Sequence, residues 1–415
     1  MERKCLLDYK KSACLFLLVF VVYSVITMTK NCYSAAMAAI VDAGIMTKSE
    51  TGLIASAFYL VYAPFQIVGG VAADKYSPAK LILFGMTCAG VCNLLIYFVQ
   101  GYVAMIVIWS VNGICQFGIW PSVFKIVASE LSPEHRMKSV FLINFTTSVG
   151  YLLSYGIAIF ISDWKLNFLI SAITLFAGVV FFSLGYFSLQ RHMVIDTDNL
   201  YAKRKAETRI SAKEILSVVI KAGVPLSLFV SIIQSMLNLG VKALAPTMLM
   251  QSYKDVTPAI GNALNIILIL AGPIGLCISR LSVFKRVNEP AAIAACFAIV
   301  LVPLSAVIFV GKLPVALIVA ALTFIMLIMS TNGIFFQYIS KKFEKFGCVA
   351  TIIGLNNCMA ALGVVLSNYV FARIADSYSW KATAVGWFAL SVLSLTAILV
   401  MIPIWKKFEK KYLQN

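Results

Sequence analysis

The sequence predicts an all-α membrane protein of about twelve transmembrane helices in two six-helix halves, and three observations carry that prediction. Hydrophobic residues make up 61% of the chain and charged ones only 12%, against roughly a quarter charged in soluble globular proteins. A bilayer core about 30 Å thick takes roughly 20 helical residues per crossing, and apolar runs of that length recur from Cys14 to Trp405. The basic residues alternate from loop to loop, about 26 at every second boundary and about five in the loops between. This is the positive-inside pattern, and it predicts a multi-pass protein of the cytoplasmic (inner) membrane with both termini cytoplasmic.

The runs can be taken in order. The first, 12–40, follows Arg3, Lys4, Lys10 and Lys11. Its Ala36-Met37-Ala38 looks like a secretory cleavage site, but the apolar run extends past Lys30, so it is read as a retained span. Runs 49–73 and 79–99 are joined by a loop with Lys75 and Lys80; runs 102–128 and 139–162 by Lys125, Arg136 and Lys138. Run 166–189 leads into the longest polar stretch, Gln190 to Lys213, which is dense in Lys and Arg. The chain therefore divides into residues 1–189, a cytoplasmic linker 190–216, and residues 217–415. In the second half the runs are 217–251, 257–279, 290–311, 314–338, 347–374 and 380–405, with basic loops at Arg280 to Arg286, Lys341 to Lys345 and Lys406 to Lys411. The opposite loops hold only Lys48, Lys165, Lys254, Lys312 and Lys381.

Several functions drop out on the same grounds. The net charge of +17 is topological, since no basic cluster is interleaved with aromatics on a soluble module, and no nucleic-acid partner is expected. Cys14, Cys32, Cys88, Cys92, Cys115, Cys277, Cys296 and Cys358 lie in apolar runs without a C-x-x-C pair, and read as small buried hydrophobes. His135 and His192 sit in loops away from any Cys or carboxylate cluster, so no metal is expected. No G-x-x-x-x-G-K-[ST] loop occurs, and nothing suggests catalysis or a cofactor. The expected partners are the lipid bilayer and a small ligand, with the chain a monomer. A 6+6 pattern around a basic linker suggests related halves with a binding site between them near the midplane.

Gly70-Val71-Ala72-Ala73-Asp74-Lys75-Tyr76-Ser77-Pro78-Ala79-Lys80 follows the G-x-x-x-D-[RK]-x-G-x-[RK]-[RK] pattern of the major facilitator superfamily, with Ser77 where glycine is usual. Its logic is that of a gate. Gly70 permits close helix approach, while Asp74, Lys75 and Lys80 form charge pairs and helix-end contacts that can break. A weaker echo runs from Gly275 to Arg280, then Lys285 and Arg286, with Ser279 replacing the acid. Further segments resemble the organophosphate:phosphate antiporters of that superfamily: GICQFGIWPS from Gly113, INFTTSVG from Ile143, NLGVKALAPT, MSTNGIFF, IIGLNNCMAALG and SYSWKATA. The resemblance covers nearly the whole chain and implies the major facilitator fold.

Its functional positions carry over only in part. The family's two phosphate-gripping arginines fall on Thr29 and Asn238, its second-helix lysine on Gln66, and its fifth-helix histidine on Thr147. Lys30 matches the lysine beside the first arginine, and Tyr62 matches a site tyrosine. Lys242, one helical turn after Asn238, is an addition. A phosphate ester of the family's usual kind is thereby put in question.

Read without the resemblance, Lys30 and Lys242 are the informative pair, each about twenty residues beyond the basic flank of its run. A lysine at a helix centre costs on the order of 2.5–3.5 kcal/mol even on the milder scales, so it faces a cavity or a partner. The seventeen acidic residues all fall in tails, loops or helix ends, so the balancing charge is expected from an anionic substrate; the alternative is that a lysine snorkels to the headgroups or titrates neutral. Asn31, Tyr62, Gln66, Thr147 and Asn238 are expected to complete the site, with interhelical hydrogen bonding as the rival role for each amide. The expectation is a secondary active transporter of a phosphorylated or carboxylated anion, working by alternating access and anion exchange. The rivals are a carrier for sugar acids or drug-like compounds and a transporter-like ligand sensor.

Overall fold

A helix in lipid satisfies its backbone polar groups internally, and this chain uses almost nothing else. The computed structural model describes residues 9–99, 101–161, 163–191, 212–279, 288–346 and 349–412, and every regular element among them is helical. Eleven stretches among the described residues are long and apolar enough to cross a bilayer. The second position in chain order is held by α2 (Lys48–Lys75), whose 28 residues extend about 42 Å. Most of the expected linker, and Arg280 to Arg286, lie outside the described residues.

In the first half, α1 (Tyr9–Asp42) and α2 are followed by α3 (Pro78–Phe98), α4 (Tyr102–Cys115), α5 (Ile119–Ser129), α6 (Pro133–Leu142), α7 (Phe145–Phe160) and α8 (Trp164–Gln190). The second half has α9 (Ala212–Lys221), α10 (Val224–Ser235), a π-helical segment Met236–Gly240, α11 (Val241–Ser252), α12 (Pro258–Ile278), α13 (Glu289–Val307), α14 (Val315–Lys341) and α15 (Val349–Val365). It ends with a second π-helical segment, Leu366–Phe371, then α16 (Ala372–Ser377) and α17 (Trp380–Tyr412). Start signals are plain: Asp163 accepts from the Lys165 N–H at 3.0 Å, and Asn288 from that of Ala291 at 3.4 Å.

Four expected runs are not single α-helices, the eleventh because it passes through the π-helical segment Leu366–Phe371. The fourth breaks between Cys115 and Ile119, and the fifth between Leu142 and Phe145. The seventh splits because Gly223 adopts φ 72°, the left-handed conformation that only glycine enters freely, and Pro225 opens the next helix without an N–H. The first run beyond that corner is α10 to α11.

The chain gathers into two compact units. One comprises the described residues of Met1–Ala39 and Val61–Glu207, the other those of Ile40–Leu60 and Thr208–Asn415. In the first unit, α3 packs along α8 around Ile82, Met86, Leu175 and Phe182. Span one meets span five where a Cβ on Gly150 would overlap Thr27, whose hydroxyl donates to the Thr146 carbonyl at 2.9 Å. Span two meets span four where a Cβ on Gly69 would overlap the Phe117 carbonyl.

The second unit repeats all three pairings. There α13 packs along α17, Gly363 of α15 leaves room only for the Ile232 carbonyl of α10, and Gly275 of α12 only for Leu327 of α14. Spans seven to twelve thus repeat the one–five, two–four and three–six contacts of the first unit. The close glycine contact falls on Gly275 in the second unit and on Gly69 in the first, one residue before the Gly70 that the sequence echo pairs with Gly275.

The start of α2 belongs to the second unit. Lys48 forms an ion pair with Asp376 at 3.3 Å, the Ser49 N–H donates to the same carboxylate at 2.5 Å, and the Ser56 hydroxyl donates to the Val365 carbonyl at 3.1 Å. Between them Gly52 lies directly against the Asn368 carbonyl, where any Cβ would overlap it. At the other end of this unit Lys342 bridges Glu289 at 3.4 Å and Glu409 at 3.0 Å. Burial pulls that ammonium down, but the hydrogen bond to Glu409 and the two carboxylate charges outweigh it and hold it above its usual range.

In the first unit Glu130, just past α5, is buried beside the Tyr186 hydroxyl, which donates to it at 3.1 Å. Burial pushes its carboxyl from 4.5 up to about 7, against the pull of that hydrogen bond and of Lys125. The unfolded chain therefore ionises from about 4.5 upward while the folded one keeps its proton, so stability falls as pH rises to about 7 and is level above that.

Two outcomes are expected. Gly52→Ala lowers the thermal midpoint in detergent by several degrees, because overpacking costs about 1–3 kcal/mol; an unchanged midpoint contradicts the close approach. Glu130→Gln removes the acid-to-neutral slope in thermal stability, matching wild type at pH 4 and exceeding it at pH 8 by on the order of 3 kcal/mol at most.

Candidate functional site

The candidate site residues fall on two clusters, one in each unit. In the first, Lys30 lies 12 positions before the last residue of α1, Asp42 (42 minus 30), hence about 18 Å from that end. Its ammonium sits over the Tyr62 ring of α2, 3.9 Å from the centroid. A ring face offers a cation the negative lobe of its quadrupole without carrying a charge. Gln66, one turn further along α2, donates through Nε2 to the Phe117 carbonyl at 3.2 Å. That carbonyl lies in the break between α4 and α5, where no helical N–H reaches it, so the Gln66 amide serves the backbone there.

Asn31 is buried at 3% exposure and its amide donates to the Thr27 carbonyl of its own helix at 2.6 Å. It does for α1 what Gln66 does for the break, and the structure does not bring it to Lys30. Thr147 is exposed on the first turn of α7. Trp120 packs against Tyr23 with centroids 5.1 Å apart, so both rings have a packing role.

In the second unit Lys242 is 7% exposed and lies 10 positions before the last residue of its span, Ser252 (252 minus 242), a register close to that of Lys30. Its ammonium donates to Asn238 Oδ1 at 2.9 Å, and Asn238 Nδ2 donates to Ser330 Oγ at 3.2 Å. An ammonium has only donors, so the amide must turn its oxygen to Lys242 and its NH2 to α14. Asn265 of α12 donates to the Lys242 backbone carbonyl at 2.8 Å, and Gln234 to that of Met329 at 2.9 Å. Asn238 lies in the π-helical segment, whose widened turn frees carbonyls that a regular helix would use.

The acidic residues keep clear of both clusters. Among the described residues Asp42, Glu50, Asp74, Glu130, Glu134, Asp163, Glu214, Asp255, Glu289, Glu344, Asp376 and Glu409 all stand within a few residues of a helix end or in a loop. No group of three or more His, Cys, Asp or Glu gathers among the described residues in a way that could hold a metal.

The expected gating residues Gly70, Asp74 and Lys75 occupy the last turns of α2, and their side chains lie outside what the structure describes. Ser77 is the N-cap of α3 with Pro78 behind it, and Lys80 is exposed. Lys125 donates to the Ala73 carbonyl, tying α5 to this turn. Neither that contact nor the Lys48 to Asp376 pair is visible from sequence, because each joins residues far apart in the chain. Ser330 could have been found: it opens the polar Ser-Thr-Asn triplet that interrupts an apolar run.

A family model described as Major Facilitator Superfamily matches residues 17–368. Among curated proteins, the membrane sensor protein UhpC of Salmonella typhimurium is 30% identical over 94 residues, 23% of this chain and 21% of that protein. The hexuronate transporter of Bacillus subtilis is 29% identical over 160 residues, 37% of this chain and 38% of that one. A probable hexose phosphate transport protein of Chlamydia trachomatis is 23% identical over 222 residues, 49% of this chain and 48% of that one. The matched segments thus span half or less of these relatives. Among solved structures, a single-substitution variant of the nucleoside transporter NupG superposes with a TM-score of 0.71 at 13% identity, over 92% of this chain and 100% of that one.

Tyr62→Leu is expected to lower the thermal midpoint more than Tyr62→Phe, since phenylalanine keeps the ring face under Lys30 and leucine does not; a cation–ring contact between half-buried partners contributes about 0.5–1 kcal/mol. Equal midpoints for the two variants contradict a cation–ring role.

Proposed function

The chain belongs to the Major Facilitator Superfamily, a family of transporters rather than enzymes, and on that premise we propose that it moves a small organic anion across the cytoplasmic membrane by alternating access. The observation that carries the reading is the placement of charge. Lys30 and Lys242 stand deep in equivalent spans of the two halves, while the described acidic residues stay at helix ends and in loops. Cations in a low-dielectric setting are stabilised by an arriving anion far more than the same groups in water.

Substrate class follows from how the ammonium groups are held. Phosphorylated and carboxylated metabolites both fit two point charges set among neutral donors, here Asn238 and Ser330 beside Lys242. The relatives named for hexuronate and for hexose phosphate support the same range. Lysines offer a point charge without arginine's bidentate fork, and since that fork serves carboxylate and phosphate alike, both anion classes remain candidates. Exchange of one anion for another fits this charge pattern. An ammonium neutralised by an anion can be closed off, whereas one without its anion resists being sealed from water.

A second reading, a membrane sensor that binds without translocating, is favoured by the match to UhpC. Proteoliposomes separate the two. With glucuronate, glucose 6-phosphate and inorganic phosphate as probes, a transporter takes up labelled anion against preloaded unlabelled anion, whereas a sensor shows ligand-dependent thermal stabilisation and no uptake.

Lys30→Ala and Lys242→Ala are each expected to cut uptake at least tenfold. Asn238→Asp places a carboxylate within reach of Lys242 and should cut it comparably, because an internal ion pair then occupies the ammonium. Wild-type uptake in all three variants contradicts the role of the lysines; uptake that follows an imposed pH gradient and ignores the preloaded anion contradicts exchange.

A further inference from the structure

The seventh span does not begin where its apolar run begins. From Val224 to Ser252 it has 29 residues, about 43 Å at 1.5 Å per residue, which already exceeds a hydrocarbon core of about 30 Å. The ten residues of α9 (Ala212–Lys221) therefore precede a complete crossing. They are set off from it by the left-handed Gly223, and a Cβ there would stand 3.2 Å from Ile404. The corner is thus packed against α17, which fixes the direction in which α9 leaves.

One edge of α9 is built into the protein: Val219 is 5% exposed and Ala222 fully buried. The adjoining edge is apolar and uncovered. Leu216 and Ile220, one turn apart, are 59% and 56% exposed. On a helical wheel at 100° per residue they adjoin Lys213 on one flank, with Ser217 and Lys221 further round, and Lys221 is exposed. Exposed aliphatics on the spans face hydrocarbon and need no explanation. On a helix beyond the crossing length the same exposure does, because two such side chains side by side in water are unfavourable.

The charge beside this edge is one-sided. Between residues 203 and 221 the sequence places Lys203, Arg204, Lys205, Arg209, Lys213 and Lys221 against Glu207 and Glu214, six cations to two anions, a net of +4. An aliphatic edge flanked by lysines, joined to a basic segment and held at the end of a membrane span, has the character of a helix that lies in the headgroup layer.

We propose that α9 is an interfacial helix that seats Leu216 and Ile220 in the bilayer surface on the side of the basic loops, with its lysines facing anionic phospholipid headgroups. The occupant is thus a lipid surface carrying negative charge. The apolar edge supplies insertion and the cations supply selectivity for acidic lipid, each cation contributing through a charge that falls off within a Debye length. The inference is independent of what the protein transports.

The test uses the full chain reconstituted in vesicles of phosphatidylcholine brominated near the headgroup end of its acyl chains, with and without phosphatidylglycerol. Leu216→Trp and, further round the helix and away from the apolar edge, Lys221→Trp are compared with the parent chain, and the added fluorescence is read by difference. The expected result is strong bromine quenching at position 216, weak quenching at 221, and about twofold less quenching at 216 when the anionic lipid is omitted or salt is raised. A water-like, unquenched signal at 216 overturns the proposal. So does a blue-shifted but unquenched one, which would mean that protein covers the edge, and so does quenching indifferent to anionic lipid. Because a reporter can disturb a helix, the parent chain and Leu216→Ser are also cut with trypsin in nanodiscs. Slower cleavage within α9, after Lys213 and Lys221, in phosphatidylglycerol than in phosphatidylcholine, lost in Leu216→Ser, supports the seating; equal rates in both lipids overturn it.

Discussion

The constraint from which the rest follows is the cost of a cation inside hydrocarbon. A lysine at mid-span costs on the order of 2.5–3.5 kcal/mol by the milder measures, more than a typical single packing contact returns, so each of the two ammonium groups must be given neutral company that softens the cost without cancelling the charge. The protein does this in two ways. Lys30 rests over the Tyr62 ring, whose quadrupole attracts a cation with little desolvation. Lys242 is held by the Asn238 amide, which is held in turn by Ser330.

The scaffold that carries these groups was largely legible in the chain, and for a physical reason. Hydropathy and charge alternation report on each span separately, through local composition, so span number and order emerge without any knowledge of contacts. The pairings of spans depend on where small residues from distant segments meet. Gly150 against Thr27 and Gly363 against Ile232 carry no local signature that sets them apart from other glycines in the same helices. The break after Cys115 was hidden too, because its residues are as apolar as those around them, yet it decides the role of Gln66, whose amide is occupied by the Phe117 carbonyl.

The same distinction runs through the site. Lys30, Lys242 and Asn238 could be picked out because a polar residue in an apolar run is conspicuous. Asn31 and Gln66 were conspicuous for the same reason but serve the backbone, Asn31 within its own helix and Gln66 across to the break. Conspicuousness measures the cost of burial; it does not say what repays it. Only geometry separates an amide that caps a carbonyl from one that orients a charge.

Satisfaction of buried polar groups is itself uneven. Asn332 is fully buried with neither amide atom hydrogen-bonded, and Asn368 and Ser367 are buried without side-chain partners. Each such atom costs about 1–3 kcal/mol. Asn368 and Ser367 belong to the π-helical segment Leu366–Phe371, which is packed between Gly52 of α2 and Gly240 of the other π-helical segment. The packing there is close enough to exclude a Cβ and yet leaves polar atoms unmet. An arrangement of that kind is held by the ion pair and hydrogen bonds at its margin, Lys48 and Ser49 to Asp376 and Ser56 to Val365, against a standing cost at its centre.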